Sequence, residues 1–589
     1  MKHLFRKTTV TILTALVAVF IGAGFATFMP MAMSTVFAAE TTEGLNYTIY
    51  GNTVTITGYN GSAAKVTIPS DIDGKQVTKI GKEAFKENKK ITSVIIPDGV
   101  ISIEEEAFYQ CEKMTSVTIP DSVKIIDEFA FSDCGKLASI KIPSGITKIA
   151  SGAFSHCSSL TSITIPSGVT SIEEYAFVSC SKLTSLTIPD GVTMIGELAI
   201  AHCTSLTSVT IPGSVKTIGK SSFCDCPKLT SVKIPEGVTE IENMAFNNCT
   251  GLKSISLPNT LTRIGENAFS GCTKLTSLEI PSGVTEIEAN TFGACTSLTS
   301  VIIPDSVTKI KAFAFSHCPK LTSVKIPDGV TEIFNYAFNG CTGLTSITIP
   351  KSVKNIWNMA FFDCTKLTAF NVDSANKNYS SKSGVMFNKK KTTLVRYPAA
   401  KKGTSYTIPS SVKTISAFAF ESAKKLTTVK IPTSVRTIES NAFRNAAKLK
   451  TITIPTSVKS IDDNAFIGRS VKTIYGGKNS VAQKAAKNAG IKFVSLTPSK
   501  VSGLKIAKKE KSSLKLSWKK NASATGYLVE QKVNGKWKQI KKIAKNKTTS
   551  YTVKKLKKSR KYNFRIRTYK TRDGVNFYSV YKTISAKTK

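Results

Sequence analysis

Residues 160–182 read LTSITIPSGVTSIEEYAFVSCSK, and the spacing of their apolar residues indicates the fold. Leu160, Ile163 and Ile165 are apolar with polar residues between them, a period-two pattern that predicts a short strand. Pro166 has no amide hydrogen to donate to a neighbouring strand, so the strand is expected to end there. The stretch therefore begins as a strand that runs into a corner.

The second half of the stretch returns apolar side chains to the same interior. Val169 and Ile172 follow the corner, and Ala176 and Phe177 place a small residue beside a large one on the far side. One such unit cannot enclose its own apolar face. Stacked copies can, because each phenylalanine then lies on the phenylalanine of the next turn.

The unit recurs at a 23-residue step, as from Pro97 to Pro120, which indicates a repeat architecture. Proline ends the first strand at twelve positions one repeat apart, from Pro97 to Pro350. The aromatic position occurs sixteen times, namely from Phe85 to Phe361 (with Ile200 as one replacement) and at Phe420, Phe443 and Phe466. Sixteen turns stacked at ~4.7–4.9 Å would form a rod of roughly 75 Å.

The pattern L-x-x-I-x-I-P-x-x-V-x-x-I-x-x-x-A-F-x-x-C, which runs through residues 44–497, resembles the leucine-rich repeat of bacterial BspA-like surface proteins. The resemblance implies a leucine-rich repeat solenoid in a secreted or surface-attached protein. Some members of that family are adhesins that bind host matrix proteins, so it also implies a binding role.

The ends of the array and one interruption fit this resemblance. We assign residues 40–90 to an N-terminal cap and first repeat, 91–473 to the array, and 474–497 to a C-terminal cap with a helix at Val481 to Asn488. The separation of Pro350 from Pro409 is not a whole number of repeats, which predicts one or two hairpins projecting from the array at 371–407. This basic, aromatic insertion is either a contact site or a structural interruption.

Twelve of the thirteen cysteines occupy one repeat position, from Cys111 to Cys364, and Cys224 is the exception. A fixed position points every thiol into the core, and Ala423 and Ala446 stand there in later repeats. We therefore expect buried free thiols rather than disulfides. Single cysteines, one in each repeat, lack the ligand spacing of a zinc site, so no metal and no cofactor is expected.

The chain offers no pattern of catalytic residues. His156, His202 and His317 each precede a cysteine of this series, but a nucleophile and base need hydrogen-bond geometry and an orienting group, and we expect surface histidines. Asp and Glu are scattered without a convergent pair for acid–base chemistry. We predict a protein that is not an enzyme.

The first strand of each repeat would line the concave face of a leucine-rich solenoid, and its outward residues are small and polar. The candidate contacts are Ser162, Thr164, Ser185, Thr187, Ser208, Thr210, Lys233 and Lys325. The face has no aromatic residue, which disfavours a carbohydrate groove and favours weak multivalent contact with a protein or polymer. A merely solvated sheet face is the alternative.

Positive charge is concentrated at the C-terminal end. Residues 40–371 carry net charge −4, 372–497 carry +18, and 498–589 carry +25 from 28 basic and 3 acidic residues. Such asymmetry suggests attachment to a polyanion, here an anionic cell-wall polymer bound through 498–589, unless the lysines serve solubility alone. Nucleic acid is not expected as a partner, because the chain has an export signal and no nucleic-acid module.

The last part of the chain lacks the repeat and carries short alternating strands. Trp518, Tyr527, and Leu556 with Tyr562 resemble a fibronectin type III domain and its tyrosine corner, which implies a β-sandwich at 498–589. Arg572-Asp573-Gly574 does not have the residue order of an Arg-Gly-Asp motif.

Residues 1–39 have the basic start, the apolar run and the small residues of a secretory signal, and no second stretch could span a membrane. We therefore predict a secreted protein associated with the cell wall or surface. The function we predict is adhesin-like binding to a host or matrix protein or an extracellular polymer. The alternatives are a wall spacer without specific ligand and a noncatalytic module of a polysaccharide-degrading system.

Overall fold

The computed structural model describes residues 37–468 and 470–589, which form a β-solenoid of about 19 turns followed by a β-sandwich. The predicted signal sequence lies outside the described residues except for its last three positions, which begin the strand Phe37–Glu40. The turns exceed the sixteen expected, because the opening cap and the insertion also wind as part of the solenoid.

Each regular turn places short segments in two parallel ladders. The first ladder is the predicted one, and its strands are Lys65–Thr67, Ser93–Ile95, Ser116–Thr118, Ser185–Thr187, Ser208–Thr210, Ser231–Lys233, Ser254–Ser256, Ser277–Glu279, Ser300–Ile302, Ser346–Ile349, Ala369–Val372, Ser405–Thr407, Thr428–Lys430, Thr451–Thr453, Thr473–Gly476 and Lys492–Ser495. This ladder is broken: residues 139–141 and 162–164 form no strand. The strand predicted within 160–165 is therefore wrong. In every turn only a few residues precede the proline, which donates no hydrogen bond, so pairing in this ladder is marginal throughout and is lost in some turns.

The second ladder follows the corner and buries one isoleucine in most turns, while Ile356 and Ile461 are half-buried. Its strands are Lys75–Ile80, Ser102–Ile103, Ile125–Ile126, Lys148–Ile149, Ser171–Ile172, Met194–Ile195, Thr217–Ile218, Glu240–Ile241, Arg263–Ile264, Glu286–Ile287, Lys309–Ile310, Glu332–Ile333, Asn355–Ile356, Thr414–Ile415, Thr437–Ile438 and Ser460–Ile461. Pairing is unbroken from Lys148–Ile149 to Arg263–Ile264.

The third side of each turn contains the phenylalanine, and the rings stack as predicted. Consecutive ladder rings lie 5.0–5.9 Å apart with interplanar angles of 2–15°. The backbone pairs here as well: the amides of Tyr175, Phe177 and Ser179 donate to Glu197, Ala199 and Ala201 of the next turn. Two residues around the phenylalanine, such as Tyr175 (φ 59°) and Ser179 (φ 61°), adopt left-handed backbone conformations. The backbone at this corner therefore forms hydrogen bonds between successive turns without adopting a regular strand conformation.

The insertion contains the predicted hairpin, but the hairpin does not project. Tyr379–Lys382 pairs antiparallel with Val385–Asn388, which pairs with Thr393–Arg396, and this last strand joins the second ladder beside Thr414–Ile415. Its apolar side chains are buried, Met386 in the core of the N-terminal turns and Val385 and Phe387 in that of the later turns. Tyr397 takes the place of a ladder phenylalanine, with its ring 5.3 Å from that of Phe420.

A buried ion pair fastens the insertion to both neighbours. Arg396 Nη2 lies 2.5 Å from Glu421 Oε2, and the two side chains are 8% and 1% exposed. The guanidinium also donates to the carbonyl oxygens of Phe361 before the insertion and Phe418 after it. The insertion is therefore a splice between two lengths of the solenoid.

The caps agree with expectation. The strands Leu45–Tyr50 and Thr53–Tyr59 form the opening hairpin around Gly51 and Asn52, with Asp71–Ile72 against the strand that follows. The helix Val481–Asn488 covers the last turns through buried Ala482, Ala485 and Ala486. No helix within the described residues has the length and apolar character needed to cross a bilayer.

The C-terminal domain is the predicted sandwich of two antiparallel sheets. One contains Lys505–Lys509, Leu514–Ser517 and Ser550–Val553, and the other contains Gly526–Val533, Lys536–Ile543, Lys561–Arg572, Val575–Tyr578 and Lys582–Lys587. Trp518 packs on Tyr527 with ring centroids 5.2 Å apart, and the Lys557 amide donates to the Tyr562 hydroxyl at 2.7 Å. The tyrosine corner is confirmed.

The sandwich rests on the end of the solenoid. The tip of one hairpin, Arg572 to Val575, meets the last turns: Thr453 Oγ1 donates to Asp573 Oδ2 at 2.5 Å, and the Arg572 guanidinium lies 3.6 Å from the Tyr475 ring centroid. Val575 joins a small apolar cluster that includes Leu496 of the cap. The Arg-Asp-Gly tip is thus an interdomain contact.

Candidate functional site

The candidate contact face follows the first ladder. Ser185 and Thr187 are exposed on either side of buried Leu186, and they pair in register with Ser208 and Thr210. The alternation puts one face of each strand in the core and the other in solvent. The structure thus brings these four hydroxyl residues together as two parallel columns.

The hydroxyls of these four residues differ from those of their neighbours. Thr184 and Thr207, one position earlier, donate from Oγ1 to the carbonyl oxygens of Thr161 and Thr184 in the preceding turns. This threonine series, which the sequence analysis missed, holds adjacent turns together. The candidate hydroxyls make no side-chain hydrogen bond to another described residue, so they are free to bind a ligand or water.

Ser162 and Thr164 are exposed but lie where the ladder opens. Thr164 lines a crevice of about 660 Å³ between turns, opposite Lys141. Lys141 pairs with Asp121 at 3.0 Å on the same rim. The columns of hydroxyls therefore continue into an uneven surface rather than a flat sheet.

Lys233 and Lys325 are both exposed, but the structure does not bring them together. Lys233 pairs in register with Ser256, and Lys325 forms a bridge with Thr348, four repeats further along. They are separate charges on a long hydroxylated face. Such a face suits repeated weak contacts better than a single deep site.

In the C-terminal domain, all three carboxylates are already paired. Glu510 lies 3.0 Å from Lys508, Glu530 accepts from Arg565 Nε at 2.6 Å, and Asp573 is engaged at the interdomain contact. Most lysines there are exposed and have no partner carboxylate among the described residues. The positive field of the domain is thus not neutralised from within.

The thiols of the cysteine series are buried as predicted. Each Sγ donates to a carbonyl oxygen of the preceding turn, at 3.0–3.4 Å, for example Cys180 to Phe154. Burial raises the pKa of the Cys157 thiol to about 12, so little thiolate forms at neutral pH. This bond gives the position a second role that the sequence analysis missed.

The three histidines are exposed, as expected, and each has a left-handed backbone, with φ between 55° and 59°. That conformation accounts for the Ser, Asn, Gly and Asp found at the same position in other turns, since small polar residues and glycine tolerate it best.

A group of carboxylates was not foreseen. Glu128, Glu173, Glu174, Glu197 and Glu242 line one cavity of about 790 Å³ whose floor includes Gly196 and Gly219. Lys220 and Lys148 engage three of them, since Lys220 Nζ lies 2.6 Å from Glu197, the Lys220 amide donates to Glu242, and Lys148 lies 3.5 Å from Glu173. The sequence did not indicate this group, because most of its members come from different turns and lie far apart along the chain. Among the described residues, no three His, Cys, Asp or Glu side chains are placed to hold a metal ion.

Comparison with known proteins finds matches for both parts of the chain. The model of the BspA type leucine-rich repeat region matches residues 78–207, 170–298, 263–393 and 397–502, and that of the fibronectin type III domain matches 499–579. No curated protein matches the sequence.

Solved structures of bacterial proteins are also similar. A leucine-rich repeat protein from Bacteroides ovatus is 25% identical, with a TM-score of 0.46, over 76% of this chain and 100% of that one. A leucine rich cell surface protein from Faecalibacterium prausnitzii is 31% identical, with a TM-score of 0.40, over 60% of this chain and 97% of that one.

Proposed function

We propose an adhesin-like, non-enzymatic binding function for this chain, which belongs to the BspA-type leucine-rich repeat family. Its family and its fibronectin type III domain make it a surface repeat protein. The first-ladder face contacts an extracellular protein or polymer, and the basic domain at 498–589 holds the protein on anionic polymers of the cell wall. Export through the N-terminal signal belongs to the same proposal.

The observation that carries the anchoring role is the segregation of charge. The last domain has 28 basic residues against three acidic ones, and each acid is paired. A polyanion that binds such a surface releases its counterions, so the binding should weaken steeply as salt rises. Residues 40–371, with net charge −4, should contribute little of this dependence.

The test is binding of the purified protein to immobilised poly(glycerol phosphate) between about 50 and 200 mM salt, a range over which many-contact DNA interfaces lose roughly 10³-fold in affinity. Wall polymers are less densely charged than DNA, so a smaller loss is expected. In one variant, five exposed lysines of the domain become glutamine: Lys505, Lys509, Lys515, Lys554 and Lys558. The matched control changes five exposed solenoid lysines that have no ion-pair partner among the described residues: Lys136, Lys182, Lys228, Lys274 and Lys320.

We expect the domain variant to bind more weakly and with a shallower salt slope, while the control behaves as wild type. Equal loss in both variants would mean that net charge alone acts, and binding that does not respond to salt would refute electrostatic anchoring.

The contact face needs a separate test. A panel of matrix proteins and glycans is screened with the wild type and with Ser162→Glu, Ser185→Glu and Ser208→Glu combined, which adds charge to one exposed column. The same glutamates at Lys136, Lys182 and Lys228 serve as control. Loss of a bound partner in the first variant only supports the proposal, whereas absence of any partner favours the wall-spacer alternative.

A further inference from the structure

A cavity of about 510 Å³ lies on the phenylalanine corner of the solenoid, on a different side of the turn from the first-ladder strands. It spans the turns of Phe108 to Ile200, and we call it the corner cavity. Tyr109, Phe129 and Tyr175 line it with aromatic surface, and its volume is that of a small-molecule site. The aromatic platform that the first-ladder face lacks is found here.

A glycine lies between the two aromatic residues in the stack of turns. Phe129, Gly152 and Tyr175 occupy the same repeat position in three successive turns. A Cβ built on Gly152 would lie 2.3 Å from Cδ1 of Phe129, so the Phe129 ring lies across the space that a side chain would fill. Beneath the cavity, the buried ring of Phe131 lies 5.9 Å from that of Phe154, against 5.1 Å one turn earlier.

The aromatic residues at this position carry a conformational cost. Phe129 (φ 53°) and Tyr175 (φ 59°) are bulky residues in the left-handed region, which costs of order 1–3 kcal/mol. Asn267 and Asn290 stand at the same position in later turns and adopt that conformation more readily. Phe129 and Tyr175 accept this cost, and both rings line the corner cavity.

The rings of Phe129 and Tyr175 do not stack on each other. Phe313 and Tyr336, at the same repeat position, stack with centroids 4.8 Å apart, which hides a face of each ring. In the turns of the corner cavity, the stacked aromatic pairs are those of the buried ladder. Phe129 and Tyr175 therefore present aromatic surface to the cavity.

Polar groups surround this apolar floor. Asp133 accepts a hydrogen bond from Ser132, and the exposed His156 ring makes no side-chain bond to another described residue. His202 lies on the rim with Nδ1 3.6 Å from Asp225. A carboxylate and two imidazoles offer acceptors and donors around a flat apolar surface.

We propose that the corner cavity binds a neutral pyranose residue of an extracellular glycan. A pyranose has an apolar C–H face that can lie on Phe129 and Tyr175, and ring hydroxyls that can exchange hydrogen bonds with Asp133 and His156. The Asp133 carboxylate selects against sugars that carry a carboxylate. The inference rests on the proposed surface role only in that its ligand is extracellular.

The test uses the purified full-length protein with neutral gluco-, manno-, galacto- and xylo-oligosaccharides, followed by saturation-transfer NMR and calorimetry. We expect at least one to bind, and Phe129→Ala and Tyr175→Ala each to weaken the Kd by about tenfold or more. Phe313→Ala is the matched control at the same repeat position and should leave the Kd unchanged. Oligogalacturonate should bind more weakly than the neutral sugar.

A second variant guards against misfolding. Gly152→Asn introduces the residue that other turns carry at this position in the same backbone conformation, so the fold should persist, which circular dichroism checks. Its side chain should displace the Phe129 ring and abolish binding.

Failure of every neutral sugar to bind would overturn the proposal, as would unchanged affinity in Phe129→Ala and Gly152→Asn, or an equal loss in Phe313→Ala. Stronger binding of oligogalacturonate would overturn the choice of a neutral sugar. Because these measurements are made in solution without wall polymer, their failure is distinct from failure of the anchoring experiment.

Discussion

Arg396 and Glu421 form an ion pair that is more deeply buried than any other in the described residues, and it lies where the insertion joins two lengths of solenoid. Glu421→Gln keeps the size of the side chain and removes its charge. The guanidinium then remains buried without a negative charge beside it, and its acceptors are neutral oxygens such as the backbone carbonyls of Phe361 and Phe418. Removing one member of a buried pair costs about 3–5 kcal/mol.

The cost should be local because each turn contacts only its neighbours. The apolar core divides at the insertion, with Val385 to Ala486 forming the second part. We therefore expect hydrogen exchange to accelerate in peptides from residues 385–486, by roughly 10²- to 4 × 10³-fold, while peptides before residue 350 keep their protection.

Hydrogen exchange with mass spectrometry measures this directly. The control is Glu197→Gln, which breaks a pair with Lys220 at 2.6 Å whose side chains are 33% and 50% exposed, and which should cost no more than about 1 kcal/mol. The double variant Arg396→Leu with Glu421→Leu should recover much of the loss. If Glu421→Gln changes exchange as little as the control does, the ion pair does not fasten the splice.

Three further results are expected. Thiol labelling should modify about one cysteine of the native protein, the half-buried Cys224, and many cysteines after denaturation; extensive labelling of the native state would contradict the burial of the thiols. Cys180→Ser should lower the free energy of unfolding in urea by about 1–3 kcal/mol, because it buries a hydroxyl. The free energy of unfolding should be constant below pH 9 and fall as the pH rises towards 12. The reason is that burial raises the pKa of thiols such as Cys157 and Cys203 to about 12 in the folded protein, so the thiols of the unfolded chain ionise first. Urea midpoints at pH 8 and 10.5 measure this effect, and equal midpoints would refute it. Tyr562→Phe should lower the stability of the last domain by about 1 kcal/mol in thermal melts, through the lost bond from the Lys557 amide, and an unchanged melt would show that the corner contributes nothing.

The repeat period predicted much of the fold because one spacing determines most contacts. Phe177 and its equivalents stack as the repeat step implies, and the helix Val481–Asn488 closes the array where its composition indicated. The 23-residue period did not predict the structure where the insertion interrupts the repeat. Tyr397 follows Phe361 by more than one repeat and less than two, yet it still joins the aromatic series, because the hairpin before it absorbs the extra residues.

The contact face was predictable and the cavities were not, for a physical reason. Exposure of Ser185 and Thr187 follows from alternation along a strand, which the sequence displays. The corner cavity depends on the left-handed backbone at Phe129 and on the direction in which its ring turns over Gly152. Residue type does not reveal either, since phenylalanine rarely adopts that conformation.

The Cys180 thiol bonds to the turn before it, the Phe177 ring packs on its equivalent, and the Phe177 amide donates to the turn after it. Each partner lies at a constant separation along the chain, 26, 23 and 22 residues respectively, so each contact recurs at the 23-residue step of the repeat. A gene that gains or loses one whole unit, through unequal crossing-over within its repeated sequence, therefore encodes a chain in which every such contact is formed again. The length of the solenoid can therefore change by one turn in a single mutational event, except across the splice at 371–407, where the repeat step is interrupted.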